Sequence, residues 1–148
     1  MANRSRGRLR VREKFCNGCM SCQAYCSTSK EGMSAATLSR VRIQLDPFGG
    51  AHKITVCRQC KKAACVEACP ETAIIHSSQG DYWEIDYERC TGCRKCMEAC
   101  PFDAIFYDSA GERIIRCDTC QGAPLCAEMC PTGTLEWTGD EETEGGSE

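Results

Sequence analysis

The sequence predicts an α+β fold of short β-hairpins and short helices, repeated along the chain and gathered around bound metal. Three observations predict it. Sixteen of the 148 residues are cysteine, while aromatic residues make up 7%. A core with so little bulk is thin, so cross-links or metal must hold the chain together. The cysteines fall into four groups of four, and the segments that flank the groups repeat in alternating types.

The first group is Cys16, Cys19, Cys22 and Cys26, in CNGCMSCQAYC. The second is Cys57, Cys60, Cys65 and Cys69, the third Cys90, Cys93, Cys96 and Cys100, and the fourth Cys117, Cys120, Cys126 and Cys130. The third group has the C-x₂-C-x₂-C-x₃-C-P spacing of bacterial ferredoxins. The first has the same spacing with Ser27 in place of the proline, and the second and fourth widen the middle gap to four and five residues. Three thiolates at this spacing on a tight loop reach three corners of one compact iron–sulfur cube. The fourth follows a three-residue step that begins a helical turn, so it points away to a different cluster. The proline is expected near a helix start, where it fixes φ and removes a donor. Gly18 and Gly92 let the loops turn tightly and bring backbone amides close to sulfur.

Two rivals are weaker. Disulfides suit secreted chains, and MANRSRGRLRVREKF carries neither an apolar signal core nor paired arginines. That reading predicts a cytoplasmic protein. No apolar run is long enough to span a bilayer. A zinc-binding module for nucleic acid or protein would use two C-x-x-C hooks with a longer loop between them, and three cysteines in seven residues fit that poorly.

The flanks justify the remaining elements. Three groups are followed by CPETAI, CPFDAI and CPTGTL. Alternating segments, RLRVREKFC and YWEIDYERC, lead to the first and third groups and end short of the cysteine. Strands in HKITVC and ERIIRC run straight into the second and fourth. Hairpin turns are expected near DPFGGA, SSQGD and DSAGE. Arg8, Arg10 and Arg12 alternate with Leu9 and Val11, which reads as the polar face of a strand rather than a nucleic-acid patch. The acidic end, DEETEGGSE, reads as a disordered, solvated tail over 139–148.

The formal net charge is −3. Ligation by sixteen thiolates, set against four cores of about +2 each, takes it to about −11. Backbone N–H groups must offset that charge. Catalysis by the chain itself is not expected. His52 and His76 lie in no metal-catalytic motif, and there is no nucleophile elbow or nucleotide fingerprint. Clusters fully ligated by thiolate leave no open iron for substrate, which points to one-electron transfer.

Two half-units that swap fourth cysteines should be of different type. That leaves sequential pairing (first with second, third with fourth) or nested pairing (second with third, first with fourth).

To about Trp137 the chain resembles the four-cluster iron–sulfur electron-transfer subunits of molybdenum and tungsten enzymes, a group built from two bacterial-ferredoxin-like modules. The resemblance implies four [4Fe–4S] clusters and nested pairing. One cluster would be bound by Cys16, Cys19, Cys22 and Cys130, and a second by Cys26, Cys117, Cys120 and Cys126. A third would be bound by Cys57, Cys60, Cys65 and Cys100, and a fourth by Cys69, Cys90, Cys93 and Cys96. It also implies an outer module over 1–50 and 109–138 and an inserted module over 51–108. The run CSTSKEGMSAATLSRVRI, from Cys26 to Ile43, is similar to a segment of the small subunits of tungsten aldehyde oxidoreductases. The expected partners are a larger pterin-dependent catalytic subunit and a flavin/NAD subunit or soluble ferredoxin. A hydrogenase, carbon monoxide dehydrogenase, formate dehydrogenase or dimethyl sulfoxide reductase-type enzyme is the alternative. The brevity of the chain also admits self-stacking into a filament.

Overall fold

The computed structural model describes residues 7–139. The acidic tail expected over 139–148 therefore lies outside the described residues except for Gly139, which closes the last strand.

Four two-stranded antiparallel sheets make the frame. Strand β1 (Gly7–Val11) pairs with β8 (Leu135–Gly139), so the two ends of the described chain meet. The other sheets are local hairpins: β2 (Val41–Gln44) with β3 (Lys53–Val56), β4 (Ile74–His76) with β5 (Trp83–Ile85), and β6 (Ile105–Asp108) with β7 (Arg113–Arg116). Their turns fall at the three glycine-rich stretches. As expected, β3 and β7 run directly into Cys57 and Cys117. The first-type strands β1 and β5 stop earlier, and one turn of chain intervenes: a 3₁₀ turn at Glu13–Phe15 before Cys16, and a turn closed by Cys90 N–H to the Asp86 carbonyl before Cys90.

Three helices are single turns: α2 (Ala64–Glu67), α3 (Lys95–Ala99) and α4 (Leu125–Glu128). Pro70, Pro101 and Pro131 stand just beyond them, so they stop helices rather than start them, which corrects the expectation. The physical reason is that the helix occupies the step between third and fourth cysteine, and a proline after it cannot continue the helical ladder. The first helix, α1 (Ser21–Glu31), has Ser27 where its counterparts have that stop, and it runs on to a left-handed cap at Gly32. Ser27 is fully buried; its hydroxyl donates to the Gln23 carbonyl and accepts the Ala35 N–H.

Helix α1 packs against α4, and α2 against α3. Two small cores result. One gathers Val41, Ile54, Val56 and Leu135, the other Ile74, Ile105 and Ile114, and both include cysteines. The hairpins β2–β3 and β6–β7 straddle the expected module boundaries at 50/51 and 108/109. A polar seam also joins α1 to the β6–β7 hairpin. Glu31 takes one guanidinium from Arg40 and another from Arg113, and Arg113 Nε reaches Asp108 Oδ2 at 3.1 Å. No helix among the described residues is long and apolar enough to cross a membrane.

Candidate metal centres

The loops that carry the cysteines owe their shape to left-handed residues. Gly18 and Gly92 have φ of +75° and +70°. At the equivalent positions of the second and fourth groups stand Gln59 (φ 49°) and Thr119 (φ 54°), which are not glycine. The conformation turns each amide back toward the sulfur two residues earlier. Gln59 N–H lies 3.4 Å from Cys57 Sγ, and Thr119 N–H 3.3 Å from Cys117 Sγ. The sequence flagged the glycines and missed these two, because nothing in their identity signals positive φ. After the fourth cysteines the left-handed conformation recurs at Thr72, Asp103 and Gly133. In the second group that bend puts the Ala73 N–H 3.3 Å from Cys69 Sγ. The first group reaches the same result by a longer path, through α1 and a 3₁₀ turn at Ala36–Leu38, which brings Arg40 N–H to 3.2 Å from Cys26 Sγ.

The cysteines gather in rings. Cys16, Cys19, Cys22 and Cys130 line a space of about 310 Å³ walled by Ile43, Ile54 and Leu135. Cys26, Cys117, Cys120 and Cys126 line one of about 320 Å³ beside Lys30, Val41 and Val56. Cys69, Cys90, Cys93 and Cys96 line one of about 360 Å³ with Ile74, Ile85 and Ile114. Cys65 lies beside Cys57 and Cys100 and shares its core with Cys60. Successive rings lie close enough to influence one another electrostatically: Cys22 acts on Cys126, Cys57 on Cys117, and Cys65 on Cys96. The rings thus form a row, and the two exposed cysteines, Cys19 and Cys93, belong to its first and last members.

Among the described residues, no three Cys, His, Asp or Glu side chains converge as a single metal ion requires. Sulfurs spread around a space suit a cluster better than a zinc ion. Burial pushes the Cys22 thiol up to about 11, with Cys130, Cys16 and Cys19 pushing the same way, and it pushes Cys96 to about 11 and Cys126 to about 12. Cys130 moves oppositely, to about 7: burial raises it, but N–H donors at Leu135, Thr132 and Thr134 and the Thr132 hydroxyl outweigh that. The raised thiols of Cys22, Cys96 and Cys126 hold their protons until metal displaces them, so loading those sulfurs releases protons.

Arg116 provides a further test of fit. It is 5% exposed, and its guanidinium donates to Cys57 Sγ at 3.0 Å and to Cys65 Sγ at 3.6 Å. Its Nε has no partner among the described residues. A buried cation facing only sulfur is costly unless that sulfur is anionic, as a cluster thiolate is.

Histidines contribute nothing to the rings. His52 Nδ1 accepts the Asp46 N–H inside the β2–β3 turn, and His76 contacts Asp81 and the edge of Trp83 at the surface.

Residues 52–140, which include three of the four groups, match the family model described as a 4Fe-4S dicluster domain. The chain belongs to that family. It is 33% identical over 82% of its length to the NADH-dependent phenylglyoxylate dehydrogenase subunit beta of Aromatoleum evansii, of which it spans 28%. It is 32% identical over 78% of its length to the aliphatic sulfonate oxidoreductase polyferredoxin-like subunit of Pyrococcus furiosus, of which it spans 66%. The thiosulfate reductase electron transfer subunit of Salmonella typhi is 29% identical over 89% of the chain. Among solved structures, the active-site complex BamBC of benzoyl coenzyme A reductase shares the fold, with a TM-score of 0.52 at 21% identity, covering 88% of this chain and 77% of the other. The family model describes an iron–sulfur domain, and two of these relatives are named as polyferredoxin-like or electron transfer subunits of larger oxidoreductases.

Proposed function

We propose that the chain is a polyferredoxin subunit with four [4Fe–4S] clusters, passing single electrons between a tungsten- or molybdenum-pterin aldehyde oxidoreductase and a flavin/NAD subunit or soluble ferredoxin. When bound, the clusters supply reversible one-electron chemistry. The observation that carries the reading is the gathering of twelve cysteines around three sulfur-lined spaces, with Cys57, Cys60, Cys65 and Cys100 set between them and the two most exposed cysteines, Cys19 and Cys93, in the end sets. The rings support nested ligation: Cys16, Cys19, Cys22 and Cys130; Cys26, Cys117, Cys120 and Cys126; Cys57, Cys60, Cys65 and Cys100; Cys69, Cys90, Cys93 and Cys96. Two modules, an outer one closed by β1–β8 and α1–α4 and an inserted one closed by β4–β5 and α2–α3, fit the same pattern.

The choice of partner rests on the segment from Cys26 to Ile43. Its residues serve the second ring: Lys30 lines the space while held by Asp118 at 2.7 Å, Gly32 caps α1, and Arg40 donates its amide to Cys26. The sulfonate oxidoreductase relative, itself named polyferredoxin-like, is in keeping with a subunit role. The test is anaerobic purification from native cells with metals and co-purifying chains measured together. Tungsten or molybdenum with a large subunit, and about four irons per cluster, supports the reading. Nickel points to a hydrogenase or carbon monoxide dehydrogenase and overturns the partner. Iron with no second chain indicates a diffusible carrier, and zinc in place of iron overturns the whole reading.

A further inference from the structure

We propose that Arg116 sets the reduction potential of one cluster in the row, the one assigned to Cys57, Cys60, Cys65 and Cys100, making it easier to reduce. The inference rests on the ligand assignment above. Arg116 is the last residue of β7, and the alternation of the strand puts it on the same face as Ile114, which packs into the inner core. Its guanidinium is thereby held under the second cysteine group, on two sulfurs of one ring.

What distinguishes this ring is the kind of donor. The sulfur contacts at Cys26, Cys69 and Cys117 come from neutral backbone amides. Lys30, the cation beside Cys117 and Cys120, is matched by the carboxylate of Asp118. Arg116 carries a full charge, is buried, and meets sulfur rather than carboxylate. Reduction adds one electron and one negative charge to the cluster while the donor, dithionite in the assay, gives up one electron; no bond forms or breaks. A desolvated cation hydrogen-bonded to ligand sulfur stabilises the extra charge more than the oxidised state, so the potential moves positive. The arginine, fixed as a cation at any accessible pH, makes that bias independent of protonation.

The experiment uses the anaerobically purified full chain, its R116Q variant and its R116K variant. Iron content is measured first, then the midpoint potentials of the clusters by dithionite titration followed with electron paramagnetic resonance. If wild-type iron falls short of four clusters, the ligand reading fails whatever the potentials do. With iron complete, the expected result is one midpoint displaced to more negative potential in R116Q and displaced less in R116K, the other midpoints moving little. Unchanged midpoints in an iron-replete R116Q or R116K overturn the proposal, as does a positive displacement. Loss of one cluster's iron from both variants also overturns it, because Arg116 is then a support for the loop rather than a setter of potential.

Discussion

Replacing Ser27 with proline would give the first cysteine group the proline that follows the other three, and the structure says that this harms the protein. Position 27 lies inside α1, four residues before its end, whereas Pro70, Pro101 and Pro131 lie beyond their helices. Proline here removes a helical N–H donor and drives its ring against the carbonyl one turn back, at Gln23, a cost of about 3 kcal/mol. It also removes the hydroxyl that accepts the Ala35 N–H at 3.0 Å, about 1 kcal/mol more. The Ala35 contact matters because it fixes the path from α1 to Arg40, whose amide meets Cys26. Ser27→Ala isolates the second part. The assay is anaerobic urea unfolding followed by circular dichroism and visible cluster absorption. With a slope of about 2 kcal/mol per molar, S27P should unfold about 2 M earlier than wild type and S27A about 0.5 M earlier. An S27P midpoint equal to that of S27A would refute the reasoning, since it would mean the chain can stop α1 at Cys26 without penalty.

Other outcomes can be checked alongside it. Glu31→Gln leaves Arg40 and Arg113 facing each other without their shared carboxylate and should cost about 2 kcal/mol. Burial raises the Glu31 carboxyl, but the hydrogen bonds from Arg40 and Arg113 outweigh it and hold the group below its ordinary value. The stabilisation is therefore fully present above the unfolded pKa of about 4.3 and lost only as pH falls through the lower folded value. The difference between E31Q and wild type should be flat between about pH 6 and 8, and a slope there would contradict the assignment. Gly92→Ala should cost more than Gly32→Ala in urea midpoints. Both glycines have φ near +70°, worth about 1–2 kcal/mol, but a Cβ at Gly92 would sit 3.0 Å from the Glu112 carbonyl while one at Gly32 meets nothing. The double variant C19S/C130S should lose the iron of one cluster, about four atoms; loss of two clusters' iron would favour sequential over nested ligation.

The parts legible in the sequence were those set by local chemistry. Cysteine spacing marks the loops, Val56–Cys57 and Arg116–Cys117 mark strands that end at a ligand, and glycine-rich stretches mark three hairpin turns, because each depends on residues adjacent in the chain. What escaped depends on contacts made at a distance. Gln59 takes a left-handed conformation for which its own side chain gives no reason, but tertiary contacts hold it: its amide bonds the Cys117 carbonyl and the Trp83 N–H at either end. The pairing of Glu31 with Arg113, and of Arg116 with Cys57, joins segments that only the folded chain brings together. In ERIIRC, Arg116 reads as the polar edge of a strand, and it became visible as a sulfur donor only once β7 was placed against the second group.

Those same distant contacts explain why so thin a core suffices. The largest fully buried side chains, Ile114, Ile115, Leu135 and Val41, are few. Three of them, Ile114, Leu135 and Val41, wall the sulfur-lined spaces themselves. Apolar burial and metal ligation are therefore coupled: the walls keep the innermost sulfurs dry, and the metal supplies the cross-links that the walls alone are too small to replace. Chelation of the iron should then do more than bleach the protein. It should melt the β1–β8 pairing along with the helices, because the two ends of the described chain are joined through the ring that contains Cys16 and Cys130. Retention of that strand pairing in the metal-free chain, seen as protected amides at Arg10 and Arg12 in hydrogen exchange, would show that the apolar walls hold the outer pair without the cluster.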